Sequence, residues 1–198
     1  IIAKNGFVQE HLIKQMKSGQ VQKRYLAIAD GIIEEDSGTI RKPIGRPDPN
    51  EVERWILDLD KGGYDSITHY KVLQRYSADD YSNSSPAVAG SPGYTLVELR
   101  LETGRTHQIR VHLASIGHPV TGDHLYNNGD PFLFRQLHGD FRRQEGSEEE
   151  STSPYIDRQA LHAYKLAFIH PITGKHLELE ASLPADMNQL IKKISQPV

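Results

Sequence analysis

The 198-residue chain contains no cysteine, two methionines and one tryptophan. Without cysteine there is no disulfide framework and no thiolate metal site, and the composition suits a reducing compartment, so a cytoplasmic location is expected. An excess of one charge is lacking too. The 23 Lys and Arg stand against 26 Asp and Glu, a net charge of -3, so indiscriminate binding to a polyanion is not expected and any nucleic-acid surface has to be local. No apolar run approaches the length of a membrane span, and the first residues lack the basic-then-apolar order of a secretory signal, so no membrane role is expected. With 37% hydrophobic residues the chain can fill one core, with little room for a second. An initiating Met is also missing. The chain starts Ile1-Ile2-Ala3-Lys4, which reads as the tail of a strand and suggests a fragment.

What is present reads as helices interspersed with strands. Asn5 can cap a helix whose Val8, Leu12, Ile13 and Met16 fall on one face, with Gly19 as its stop. In residues 21–29, Leu26 and Ile28 lie on one side of a strand and Lys23, Tyr25 and Ala27 on the other, less apolar side, where a tyrosine can face a cleft. Residues 31–50 shift to Gly, Pro and charge, with Arg41, Lys42 and Arg46 around Pro43 and Gly45, and read as a basic loop. A β-rich run follows at 67–76, then a small, polar stretch at 77–93 that suits a hairpin connection. Thr95, Val97, Leu99 and Leu101 alternate with Leu96, Glu98, Arg100 and Glu102, the clearest half-buried strand in the chain. After Thr103-Gly104 the period changes: Ile109, Leu113 and Ile116 follow helical spacing, and Gly117-His118-Pro119 closes the helix. Arg105 therefore sits at a strand-to-helix junction. Residues 138–157, with Glu148-Glu149-Glu150, read as a solvated loop. Two β-rich runs, 161–169 and 177–183, flank a turn, and Met187, Leu190, Ile191 and Ile194 mark a final amphipathic helix. The expected architecture is one α+β domain over 1–198 with a mixed, mainly antiparallel sheet.

The densest polar cluster is Arg105-Thr106-His107-Gln108-Ile109-Arg110-Val111-His112. Its two histidines invite a metal or a hydrolytic reading, but five residues along a helix separate them by about 140° around the axis, so they cannot chelate from one face. No carboxylate stands at metalloprotease spacing, no Gly-x-Ser-x-Gly elbow supplies a nucleophilic serine, and no Walker-type phosphate loop occurs. A metal is not expected. The structural reading leaves Arg110 solvated, His112 hydrogen-bonded in the core and Asp123 in a turn. Arg105 differs, because a guanidinium at a junction after Gly can pair bidentately with a carboxylate or a phosphate.

In its order, the run from Leu101 through Gly104-Arg105-Thr106-His107-Gln108-Ile109-Arg110-Val111-His112 to Gly117-His118-Pro119, Gly122-Asp123 and Leu125-Tyr126 resembles the most recognisable motif of the RluA-type RNA pseudouridine synthases. Lys23-Arg24-Tyr25-Leu26-Ala27 is similar to that family's Lys-x-Tyr-x-Ala strand, and Pro43-Ile44-Gly45-Arg46 to its Pro-Ile-Gly-Arg loop. Arg158-Gln159-Ala160-Leu161-His162-Ala163 with His170-Pro171 resembles its closing block. The resemblance covers nearly the whole chain except the loops at 77–93 and 138–157. In the family the nucleophilic Asp lies in a His-Arg-Leu-Asp motif just ahead of an apolar strand ending in Ala-Lys. No Asp here has that setting, Asp36-Ser37-Gly38 included, so the nucleophile is expected upstream of Ile1, and the fragment by itself is expected to be inactive.

The resemblance implies a pseudouridine synthase fold and isomerisation of uridine to pseudouridine in rRNA or tRNA, with base flipping and no cofactor. It assigns Arg105 to pairing with the nucleophilic Asp, Tyr25 to the base and its C5 proton, and Leu161 to the pocket wall. Lys23, Arg24, Arg41, Lys42, Arg46 and Arg110 are candidates for RNA-backbone contact, since phosphate contacts position without reading sequence. A monomer is expected. The alternative is an RNA-binding module of the same fold that has lost catalysis.

Overall fold

The computed structural model describes residues 1–50, 52–77, 93–127 and 156–195. Six strands form one sheet in the order β2-β5-β6-β1-β7-β8: β1 (Gln22–Asp30), β2 (Ser37–Arg41), β5 (Ile67–Ser77), β6 (Gly93–Leu101), β7 (Leu161–Ile169) and β8 (His176–Glu180). A two-stranded ribbon joins β3 (Ile44–Gly45) to β4 (Trp55–Ile56). Every named ladder among the described residues is antiparallel, as the alternation in the sequence implies. Among the described residues three α-helices accompany the sheets: α1 (Gly6–Lys17), α2 (Gln108–Ala114) and α3 (Ala185–Ser195).

The central position of β1 explains where its alternation fails. Its first half is half-buried, whereas Ala27, Ile28 and Ala29 are all fully buried, because elements cover both faces of the sheet there. Met187, Leu190 and Ile194 of α3, and Ile109 and Leu113 of α2, join these residues and Val97 and Leu99 of β6 in one core cluster. Helix α2 is enclosed twice. Its Val111 and Ala114 pack with Ile44 and Tyr126, beside Trp55 and Ile56 of the ribbon. Seven residues are too few for a helix to stand alone, so tertiary contact supplies its stability.

Two expectations about the elements need correction. The 31–50 stretch is not all loop, since it contains β2 and β3. The sequence hides β2 because it is an edge strand with only Ile40 buried, a composition that keeps edges soluble. Helix α1 is capped by Asn5 as expected, with Val8 N–H donating to Asn5 Oδ1 at 2.9 Å, but its buried face is different. Gln15 Nε2 donates to Ile169 O at 2.8 Å and its Oε1 accepts Ile169 N–H at 2.9 Å, so a side-chain amide pairs with the backbone of β7 like a neighbouring strand. That turns Leu12 onto Val21 and Phe168 and leaves Ile13 and Met16 exposed. The 77–93 and 138–157 loops lie almost entirely outside the described residues.

Behind α2, the Arg110 guanidinium grips Asp123 through two bonds of 2.6 Å, from Nε and Nη2. Asp123 is fully buried and its Oδ1 also accepts the N–H groups of Leu125 and Tyr126. Arg110 is thus engaged inward, not solvated as its helical position suggested, while Asp123 takes the structural place expected of it. Replacing Asp123 with Ala strands this charge and two N–H groups, and is expected to lower stability by about 3–5 kcal/mol, read from the denaturant midpoint.

Candidate active site

The register of β1 gathers the residues singled out in the sequence. Tyr25 lies opposite Leu99 of β6 and Ala163 of β7, and Ala27 opposite Val97 and Leu161. Residues directly opposite in a ladder, and those two apart in a strand, share a face, so Lys23, Tyr25, Ala27 and Leu161 look to one side of the sheet. Tyr25 and Leu161 are both half-buried against the main core. Burial pushes the Tyr25 phenol above its ordinary range, so it is a neutral hydroxyl at physiological pH.

Strand β6 ends beside the start of β1, and the chain turns at Thr103-Gly104-Arg105. The turn is close to Lys23: a Cβ at Gly104 would meet Lys23 Nζ at 3.0 Å. What holds the turn is Gln108, only 2% exposed. Its Oε1 accepts the Arg105 N–H at 3.0 Å and the Thr103 hydroxyl at 2.9 Å. Its Nε2 donates to Ile67 O and Thr68 Oγ1, each at 3.0 Å. The amide can sit only one way round, because Arg105 N–H can only donate and Ile67 O can only accept. The Thr103 hydroxyl in turn accepts Ile67 N–H at 2.9 Å, so the turn is bonded on both sides to the start of β5.

The network continues into the core. Lys42 O can only accept, so His112 Nε2–H donates to it at 2.9 Å, and Nδ1 of the neutral ring accepts the Thr68 hydroxyl at 2.8 Å. His112 is fully buried and burial holds its pKa below the ordinary 6.5, which keeps it the neutral hydrogen-bonded core histidine expected from the sequence. His107 faces elsewhere: its Nδ1 is 2.9 Å from the Tyr126 hydroxyl, which also accepts Arg54 N–H at 2.8 Å. Burial pushes the Tyr126 phenol up to about 12, so the hydroxyl keeps its proton and bonds a neutral imidazole. At φ 56, His107 is the one non-glycine residue with a left-handed backbone among those described, and it sits where the Arg105 turn becomes α2.

Arg105 itself is exposed. Its Nε donates to Asp65 O at 3.3 Å and its guanidinium lies 5.4 Å from the centre of the Tyr64 ring. The other cations differ in how far they are committed. Arg24 pairs with Glu98 at 3.0 Å, and Glu98 also accepts the Tyr164 hydroxyl. Lys42 Nζ donates to Ser115 O at 2.7 Å, and burial lowers its pKa. Arg46 donates to Pro49 O at 2.8 Å while staying exposed, and Arg41 is exposed at the end of edge strand β2. Arg110 is held by Asp123, its guanidinium also over the Tyr126 ring at 4.9 Å. Among the described residues no three His, Asp or Glu side chains are grouped to hold a metal ion, and no helix is long and apolar enough to cross a membrane. Gln108 and Tyr64 escaped sequence reasoning. For Gln108 the available signal was an amide one residue before a buried Ile in the Arg-Thr-His-Gln cluster; for Tyr64 there was none.

The profile of the family described as RNA pseudouridylate synthase matches residues 1–115. The chain belongs to that family. Among curated relatives, an uncharacterised RNA pseudouridine synthase of Bacillus subtilis, YhcT, is 38% identical over 192 residues, covering 97% of this chain and 51% of its own length. Ribosomal large subunit pseudouridine synthase D of Haemophilus ducreyi is 36% identical over 196 residues, covering 98% and 51% respectively. The RluA-type assignment drawn from the motifs agrees with these relatives. The chain spans about half the length of the curated relatives it matches. The solved human RNA pseudouridylate synthase domain containing 1 superposes with a TM-score of 0.62 at 25% identity, over 98% of this chain and 73% of that one. The α+β fold expected from the sequence is therefore the fold of the family.

Two outcomes follow from the buried network. Changing Gln108 to Leu strands the Arg105 N–H and takes one of two partners from each of the Thr103 hydroxyl, the Thr68 hydroxyl and the Ile67 carbonyl, and is expected to cost at least about 2 kcal/mol in a denaturant titration. His112 is neutral when folded but takes a proton at its ordinary 6.5 when unfolded, so stability should fall as pH drops below about 6.5. In His112→Gln the slope of unfolding free energy between pH 7 and 5 should be shallower than in the wild type.

Proposed function

We propose that the protein carrying this chain is a cofactor-independent RNA pseudouridine synthase of the RluA type that converts uridine to pseudouridine in structured rRNA or tRNA. The observation that carries the reading is the convergence of Tyr25 and Leu161 on one face of the sheet with the Arg105 turn at the Lys23 end of that face, in a chain of this family. The reaction breaks the bond from ribose C1′ to N1, turns the uracil, and joins C1′ to C5; the C5 proton leaves and N1 gains one. Atoms and electrons of the nucleotide are conserved, so the chemistry itself calls for no redox or group-carrying cofactor.

The chain's own residues fit separate parts of that task. Half-buried Leu161, on the same face as Tyr25, gives the flipped base an apolar wall. Tyr25, a neutral hydroxyl, can accept the C5 proton as it passes its own on, while its ring lies against the base. Arg105, rigid in its backbone and exposed at its guanidinium, whose Nη groups can still donate, aims and stabilises an ionised carboxylate nucleophile. That carboxylate is proposed to come from outside these 198 residues. Lys23, Arg41 and Arg46 are proposed to meet the RNA backbone; Arg24 and Lys42 reach it less directly, and Arg110 acts through its grip on Asp123. A monomeric, cytoplasmic protein is the form proposed.

In the full-length protein, Arg105→Ala and Tyr25→Phe should each reduce pseudouridine formation by about 10²-fold or more, scored by carbodiimide labelling and primer-extension stops. Both variants should melt close to the wild type, since neither change opens a cavity in the core. Undiminished modification by Arg105→Ala would remove its assigned role, and RNA binding without any pseudouridine would favour the non-catalytic module.

A further inference from the structure

We propose that Tyr64 is a stacking platform for an RNA base beside the reacting nucleotide, with the Arg105 guanidinium as the cationic edge of the same subsite. The inference rests on the RNA-directed reading above and adds a contact that the motifs do not assign. Tyr64 is 63% exposed, an expensive place for an aromatic ring whose natural tendency is to bury itself. Its backbone gives it no way to do so. Tyr64 N–H donates to Ile44 O at 2.9 Å, and Ile44 N–H donates back to Tyr64 O at 3.0 Å. The Ser66 hydroxyl also donates to Tyr64 O, at 2.8 Å. On the other side, Gly63 N–H donates to Asp58 O at 2.9 Å, and a Cβ at Gly63 would fall 1.9 Å from Leu57 O. The segment is clamped between the ribbon and its own turn, with the ring held outward.

What stands next to the ring identifies the ligand chemistry. The Arg105 guanidinium lies 5.4 Å from the ring centre, and its Nε bond to Asp65 O straps it across residues 64 and 65. A planar cation over an aromatic ring that is still 63% exposed suits a polyanion that carries flat bases, since the exposed part of the ring takes a base and the guanidinium takes charge. Lys23, at the neighbouring Gly104, extends the positive side of the site. Flipping a nucleotide also creates the demand. The bases on either side lose a stacking partner when the target leaves the helix, and an aromatic at the rim of the site restores one.

The test uses the full-length protein and a deproteinised large-subunit rRNA transcript. Tyr64→Ala should raise KM and the filter-binding Kd by about 5- to 100-fold with kcat within about twofold, and Tyr64→Trp should restore binding to within about threefold of the wild type. A stacking contact carries no charge, so the slope of log Kd against log salt should stay unchanged in Tyr64→Ala, whereas Lys23→Ala should reduce it by about one. A Kd for Tyr64→Ala within about twofold of the wild type overturns the proposal. So does a loss of kcat at unchanged Kd, which would assign the ring to holding Arg105. If the wild type binds the transcript but forms no pseudouridine, the isomerase reading fails while the same Kd comparison still decides the platform; if it binds no RNA, both fail.

Discussion

The carboxamide of Gln108 is the interaction on which the rest of the site depends. Without it the junction between β6 and α2 would be a surface turn free to move, and the guanidinium of Arg105 would sample a wide arc. With it, one buried group bonds the turn through two donors and the start of β5 through two acceptors. Each bond is worth little in water, but in a water-excluded site an unmet partner is expensive, so the arrangement has one low-energy state. The same network runs through Thr68 and His112 to the carbonyl of Lys42, which ties the basic loop to the core behind the site.

A second constraint works beside it. The Arg110–Asp123 pair binds the back of α2 to the turn after it, and Asp123 then organises the N–H groups that bring in Tyr126. Tyr126 in turn holds His107, the left-handed residue between the Arg105 turn and the helix. The short helix is thus fixed at both ends by polar groups and along two sides by apolar ones. Arg105 sits at the edge of this rigid block, ordered in its backbone and open at its tip. That combination suits a group meant to meet a charge arriving from elsewhere.

A protein with more acidic than basic residues can still meet RNA if its cations are sorted. Glu98 takes up Arg24 and Asp123 takes up Arg110, while Arg41, Arg46 and Arg105 remain exposed. Net charge therefore says little about recognition here. What matters is which cations the fold has already neutralised.

Much of this was legible in the sequence because it rests on local periodicity and on motifs contiguous along the chain. The strand at Thr95 to Leu101, the helix after Arg105, the final amphipathic helix and the cap at Asn5 follow from alternation, helical spacing and capping chemistry, which act over a few residues. The family resemblance likewise lay in unbroken runs around Arg105 and Tyr25. Edge strand β2, the outward face of α1 and the fates of individual charges were not legible, because each depends on a distant partner. Gln15 meets Ile169 and Gln108 meets Ile67, separations of 154 and 41 residues. Arg110 illustrates the limit: its place on the helix left it solvated, and only the fold brought Asp123 against it. The sequence by itself determined the long elements, their order and the family. The tertiary structure decided which polar groups are spent on holding the fold and which are left open, because that choice is made by contacts no local rule contains.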